Sequence, residues 1–144
     1  MFLLDTNVVS EISSRAIPDE KVLAWFFAQS PDTLYISSIT LAELIYGIEL
    51  LPEGRRKDDV RNSVVSTLSD FQSRPLPFDE QAAPYYASVA AQRRKLGQPI
   101  GPNDAMIAAI AMSNNMAVVT RNIKDFENTG VRIINPWKYQ NQKS

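Results

Sequence analysis

The chain has 144 residues, 44% of them hydrophobic and 22% charged, with a formal net charge of −1, the balance of an ordinary soluble globular domain. It contains no histidine and no cysteine, which excludes Ser-His-Asp and Cys-His hydrolases, histidine-based ribonucleases, His-ligated zinc sites and disulfides. A chain of this length is expected to form one domain over residues 1–137, burying roughly 70% of its unfolded surface, followed by a loose polar tail over residues 138–144.

Phe2–Leu4 is an apolar run with a polar stop, the pattern of a short buried strand, and Asp5-Thr6-Asn7 is placed to cap a helix over Val8–Ser13. Pro18-Asp19-Glu20 opens a second helix to about Gln29, and Leu34-Tyr35-Ile36 reads as a strand after the Pro31-Asp32 break. Thr40 with Glu43 three residues on matches a capping box and predicts a strongly apolar helix to Leu51. Pro52 and Gly54 end it, and Val60, Val64, Leu68 and Phe71 then recur at amphipathic helical spacing. Pro75 and Pro77 bracket an extended stretch fit only for an edge strand. Asp79 is expected to cap a helix to about Leu96, in which Pro84 is tolerable only in the first turn. After the Gly97–Pro102 loop, Asn103 or Asp104 caps a helix that is apolar all round. Ala117–Val119 and Val131–Ile134 are the last expected strands, and Asn135-Pro136-Trp137 ends the fold.

The longest unbroken apolar run, Ala105–Met112, is eight residues, against about 20 needed to span a bilayer. No basic region precedes the first apolar run, so no signal peptide is expected. With the absence of cysteine, this points to a cytoplasmic protein with no membrane partner. Charge is unevenly spread: residues 1–80 hold 13 acids and 7 bases, residues 81–144 hold 3 acids and 8 bases. Arg93, Arg94 and Lys95 suit a helix C-terminus and equally suit a polyanion.

Strands separated by helices predict an α/β sandwich with a mainly parallel sheet, in which ligands gather beyond the carboxyl ends of the strands. Asp5 follows the first strand directly, and Thr120, Asn122 and Asp125 follow a later one. Glu43 and Asp104 lie in the first turns of helices, which usually open on the same edge. Each acid alone also fits a cap or turn. Glu43, however, is the only charge before Glu49 in a nearly all-apolar helix, where a carboxylate needs a partner; Gly47, one turn on, leaves that face open. Two carboxylates ~4 Å apart repel by about 4 kcal/mol at an effective dielectric of 20, so three gathered without a base imply a cation. Asp, Glu and Asn oxygens suit Mg²⁺ or Mn²⁺ rather than zinc. Asp5-Thr6-Asn7 has neither the adjacent acids of a receiver domain nor the Asp-x-Asp of a haloacid-dehalogenase phosphatase.

The blocks MFLLDTNVVSE, ISSITLAELIYGI, GPNDAMIAAIA and VVTRNIKDFENTGVRIINPW, in this order and spacing, resemble the PIN-domain ribonucleases, in particular the VapC and FitB type toxins of bacterial toxin–antitoxin pairs. The resemblance spans roughly residues 1–137. It implies a three-layer sandwich, a central mainly parallel sheet flanked by helices, carrying a Mg²⁺- or Mn²⁺-dependent endoribonuclease. Asp5, Glu43 and Asp104 would be its catalytic and metal-binding acids. The fourth acidic place of the family falls on Asn122, a slot often Asp in relatives, or on nearby Asp125. Thr6, Asn7 and Thr120 match positions that orient the carboxylates or contact phosphate. A metal-activated water would attack the phosphodiester in line. Arg93, Arg94, Lys95, Arg121 and Lys124 are candidate contacts to the RNA backbone, which position without reading sequence. Implied partners are RNA, a cognate small DNA-binding antitoxin, operator DNA reached only through that antitoxin, and a second copy in a homodimer. The rival reading is a catalytically weak or inert module serving as an antitoxin-bound co-repressor.

Overall fold

The structure, a computed structural model, describes residues 1–71 and 75–140. Four short strands, β1 (Phe2–Leu4), β2 (Leu34–Tyr35), β3 (Ala117–Val119) and β4 (Ile133–Ile134), form one sheet in the order β2-β1-β3-β4. Every pairing is parallel, with Leu3 opposite Tyr35 and Val118, and Val118 opposite Ile133. The expected mainly parallel sheet is thus wholly parallel, and all four strands end at one edge.

The pleat sorts the core into two halves. Leu3, Tyr35, Val118 and Ile133 pack with α5 (Ala83–Lys95) and α6 (Pro102–Ser113), whereas Phe2, Leu4, Leu34, Val119 and Ile134 pack with α1 (Thr6–Ser14), α2 (Glu20–Ala28), α3 (Ser38–Glu49) and α4 (Arg55–Ser69). Helices therefore cover both faces, the expected three-layer sandwich. In α6 the run Ile107–Ala111 is completely buried. Its alanines let the helix lie close on the sheet, while Ile107 and Ile110 each contribute about 2 kcal/mol of apolar burial.

Helix ends bring their neighbours to the sheet edge. α5 stops at Gly97 (φ +72), whose following residue returns a bond from Gln98 N to Arg93 O. α6 stops in the same way at Asn115 (φ 56), with Met116 N donating to Ala111 O at 2.8 Å. Both are Schellman endings, and the second turns the chain straight into β3. The short helix α7 (Ile123–Phe126) follows β3.

Three expected caps are corrected. Ser37, not Thr40, caps α3: its hydroxyl accepts from Thr40 N at 3.0 Å, so the helix begins earlier and Glu43 lies beyond its first turn. Gly101 precedes α6, and neither Asn103 nor Asp104 caps it; Asp104 is its third residue. Asp79 accepts from Ala82 N in a turn, so α5 starts only at Ala83 and Pro84 falls harmlessly in its first turn. The Pro75–Pro77 stretch makes a single parallel bridge, Ser37 to Leu76, at the sheet's margin. Pro136–Lys138 forms a 3-10 turn and Tyr139 packs on the core, while residues 141–144 lie outside the described residues.

Candidate active site

Asp5 is the first residue beyond β1 and its amide extends the ladder to Val119 O at 2.9 Å. One carboxylate oxygen caps α1 by accepting from Thr6 N at 2.8 Å. The other accepts from Thr120 Oγ1 at 2.8 Å and from Asn7 Nδ2 at 3.1 Å. Asn7 also donates to Thr120 Oγ1 and accepts the Arg121 amide, both at 3.1 Å. Two adjacent strand ends are therefore locked together around one buried carboxylate. Burial pushes its pKa above the usual carboxylate range; the Thr120 hydroxyl and the Thr6 amide pull it back, and the Glu43 charge adds to the rise.

Glu43 arrives from α3. Thr6 Oγ1 donates to Glu43 Oε1 at 2.9 Å and lies 3.2 Å from the hydroxyl of buried Thr40. The partner that an acid in an apolar helix requires is thus Thr6, the residue next to Asp5. Thr40, expected only as a cap, is a buried support for this contact. Its position three residues before Glu43 gives the signature of a cap, and that masked the role.

Asp104 comes from α6 on the opposite face of the sheet. Burial, then the charges of Asp5, Asp125 and Glu43, push its pKa up to about 6, with Arg93 opposing. Asp5, Glu43 and Asp104 thus feel one another across the sheet edge, and Asp125 joins them. Asn122 stands at the start of α7, exposed, its side chain capping nothing and its amide donating to Thr120 Oγ1 at 3.0 Å. Of the two residues left open by the sequence, Asp125 is the one whose charge reaches the cluster.

An all-oxygen set of carboxylates whose repulsion Arg93 only partly opposes fits a hard divalent cation. Among the described residues no three carboxylates stand close enough to form a closed chelate. What the fold provides is a focus of negative charge in which Asp5 is rigidly held.

Of the five basic candidates, Arg93 is corrected. It is buried, and its guanidinium donates to Gln98 O, Asp125 O and Glu127 O at 2.6, 3.0 and 2.9 Å, with Lys124 O at 3.5 Å. It is a clamp between the end of α5 and α7, not a free surface cation. Arg94, Lys95, Arg121 and Lys124 are exposed. Arg121 lies with its guanidinium 5.2 Å from the centroid of the Trp137 ring.

The family model described as PIN domain matches residues 2–131. The chain is 45% identical over 139 residues to the plasmid stability protein StbB of Pseudomonas syringae pv. tomato, covering 96% of this chain and 99% of that protein. It is 44% identical over 139 residues to VapC ribonuclease Y4jK of Sinorhizobium fredii, with the same coverage. A solved structure of FitAB bound to an IR36 DNA fragment matches with a TM-score of 0.89 at 38% identity, covering 99% of this chain and 100% of that one.

Proposed function

This chain belongs to the PIN-domain family, and we propose that it is a Mg²⁺- or Mn²⁺-dependent endoribonuclease, the toxin of a bacterial toxin–antitoxin pair acting in the cytoplasm. The observation that carries this reading is the convergence of Asp5, Glu43 and Asp104 from three elements on one sheet edge, the Glu43 charge raising the proton affinity of Asp5 and the Asp5 and Glu43 charges raising that of Asp104. The similarity to a VapC ribonuclease and to FitAB on DNA supports it.

Asp5, Glu43 and Asp104 would hold the ion, with Asp125 at its margin. When bound, the ion supplies a water of lowered pKa and positive charge against the attacked phosphate. The chain's own residues do the rest. Thr6, Asn7 and Thr120 fix the Asp5 oxygens, and Thr6 also aims Glu43. In the metal-free chain burial and the neighbouring acids push Asp104 up to about 6, so a cation held beside it relieves that repulsion and keeps the carboxylate charged. Neither histidine nor an RNA 2′-hydroxyl is required: water attacks the phosphorus, the bond to the 3′-oxygen breaks and that oxygen takes up a proton, so the products carry a 5′-phosphate and a 3′-hydroxyl. Arg94, Lys95, Arg121 and Lys124 meet the RNA backbone.

A homodimer bound by a small DNA-binding antitoxin completes the proposal, operator DNA being reached only through that partner. An Arg from the antitoxin, entering among the acids, would match carboxylate geometry. The test is cleavage of RNA by the purified, partner-free chain in Mn²⁺ or Mg²⁺, with Asp5→Asn as the inactive control. Cleavage undiminished in excess EDTA, and equal in the control, overturns the mechanism.

A further inference from the structure

Arg121 differs from the other exposed cations near the acids because its backbone and side chain are both restrained. It follows Thr120 at the end of β3, and its amide donates to Asn7 Oδ1 at 3.1 Å, while the same Asn7 side chain donates to Asp5 Oδ2. One side chain thus ties the backbone of Arg121 to the buried acid. Its guanidinium lies over the indole of Trp137, 5.2 Å from the ring centroid, within cation–π range. Among the described residues it forms no ion pair with a carboxylate, whereas Arg15, Arg55, Lys57 and Arg61 all do.

The indole is itself fixed. Trp137 follows β4, its amide donates to Asn135 Oδ1 at 3.0 Å, and its side chain packs against the core beneath α1–α4. A guanidinium held over an aromatic ring by cation–π attraction spends no N–H donor on a carboxylate or carbonyl, so its planar fork can bind a phosphate by two parallel bonds. An acidic edge repels a polyanion, so a strand brought there requires an opposing charge at a set position. Arg93 does not supply it, being spent on backbone carbonyls.

We propose that Trp137 is a positioning residue for RNA, holding Arg121 over its ring at the sheet edge so that its guanidinium grips a backbone phosphate next to the bond presented to the acids. The inference rests on the ribonuclease reading above. It predicts a contact with phosphate, tolerant of base identity, and a function for Trp137 exerted only through Arg121.

The test measures binding of a fluorescent single-stranded octauridylate to the full chain in EDTA, where binding is scored without cleavage, across a series of KCl concentrations. Arg121→Ala is expected to weaken binding by about tenfold and to make the plot of log affinity against log salt shallower by about 0.7, one phosphate contact on a single strand. Arg121→Lys keeps the slope, because the charge remains, but binds less tightly because the planar guanidinium fork is lost. Trp137→Leu, or Trp137→Phe should the first fail to fold, weakens binding in the wild-type background and adds nothing in the Arg121→Ala background. In cleavage assays of the single variants KM rises while kcat is kept.

An unchanged salt slope in Arg121→Ala, or an equal Trp137 loss with and without Arg121, overturns the proposal. So does a loss confined to binding of a co-expressed protein partner, which assigns Arg121 to a partner's carboxylate. Cleavage of the same oligonucleotide in Mn²⁺ is scored separately: wild-type binding without cleavage fails the ribonuclease reading and leaves the phosphate contact standing.

Discussion

Asp104 sits in the first turn of α6 with no capping bond, so its carboxylate carries the cost of burial and of its acidic neighbours without a compensating amide. Its pKa is raised from 3.8 to about 6. A folded-state pKa above the unfolded one contributes stability that is complete below the unfolded value and lost as pH rises through the folded value. The metal-free protein therefore loses this contribution between about pH 4 and pH 6. At pH 7, Asp104→Asn is expected to melt above the wild type, the difference closing as pH falls towards 4; calorimetry of the two metal-free proteins checks it, and no gain at pH 7 contradicts the charge cluster. Thr6→Val tests the other side of the site. It removes the donor to Glu43 Oε1 with little change of shape, and a bond to a charged group is worth about 1.5 kcal/mol at the lower end. Since 1.36 kcal/mol is tenfold in rate, kcat should fall about tenfold with the fold intact by circular dichroism. The candidate acids were legible as polar stops in apolar runs. Their holders Thr6, Asn7 and Thr120 carry no charge to mark them and were named only through the family resemblance, while Thr40 was missed because it mimics a cap.

At the scale of elements, the basic triplet ending α5 divides by direction. Arg93 lies four residues after buried Val89 and so shares its inward face, where its guanidinium collects the carbonyls of the Gly97 turn and α7. That spacing was the available signal, hidden by the ordinary habit of arginine to end helices in water. Arg93→Met keeps the aliphatic stem and abandons several carbonyls, so it is expected to cost about 3 kcal/mol of stability by urea titration. Arg94→Ala, on the exposed face, should cost about 0.5 kcal/mol or less. RNA affinity of folded Arg93→Met should keep the wild-type salt slope, since a buried clamp contacts no phosphate; a shallower slope returns Arg93 to the surface. Periodicity placed nearly every element to within a few residues because strands and helices here bury continuous apolar faces. It misplaced the starts of α3, α5 and α6: Ser37 caps α3 one turn before Thr40, whereas α5 and α6 start after Ala82 and Gly101 with no side-chain cap to mark them.

Across the whole molecule, the site exists because a parallel sheet sends every strand end to one edge while helices from both faces open there. Glu43 descends from the layer of α1–α4 and Asp104 from the layer of α5 and α6, with Asp5 between them at the sheet. This convergence followed from the order of strands and helices, but the β2-β1-β3-β4 strand order came only from the structure, since pairing of short strands is decided by packing across both cores. An ion held by both layers and the sheet binds the folded chain and not the unfolded one, so it stabilises by about 2.7 kcal/mol at a hundredfold excess over its Kd. Mn²⁺ should therefore raise the melting temperature of the wild type, and Glu43→Gln or Asp104→Asn should each shrink that shift although they lie in different layers. The fourth position is decided by the same measurement. Both residues are exposed, but the Asp125 charge acts on Asp104, whereas the neutral Asn122 side chain makes no capping bond. Asp125→Asn should thus reduce the Mn²⁺ shift more than Asn122→Ala. The reverse order would give the fourth place to the Asn122 amide oxygen and leave Asp125 as an electrostatic bystander, its backbone carbonyl still held by Arg93.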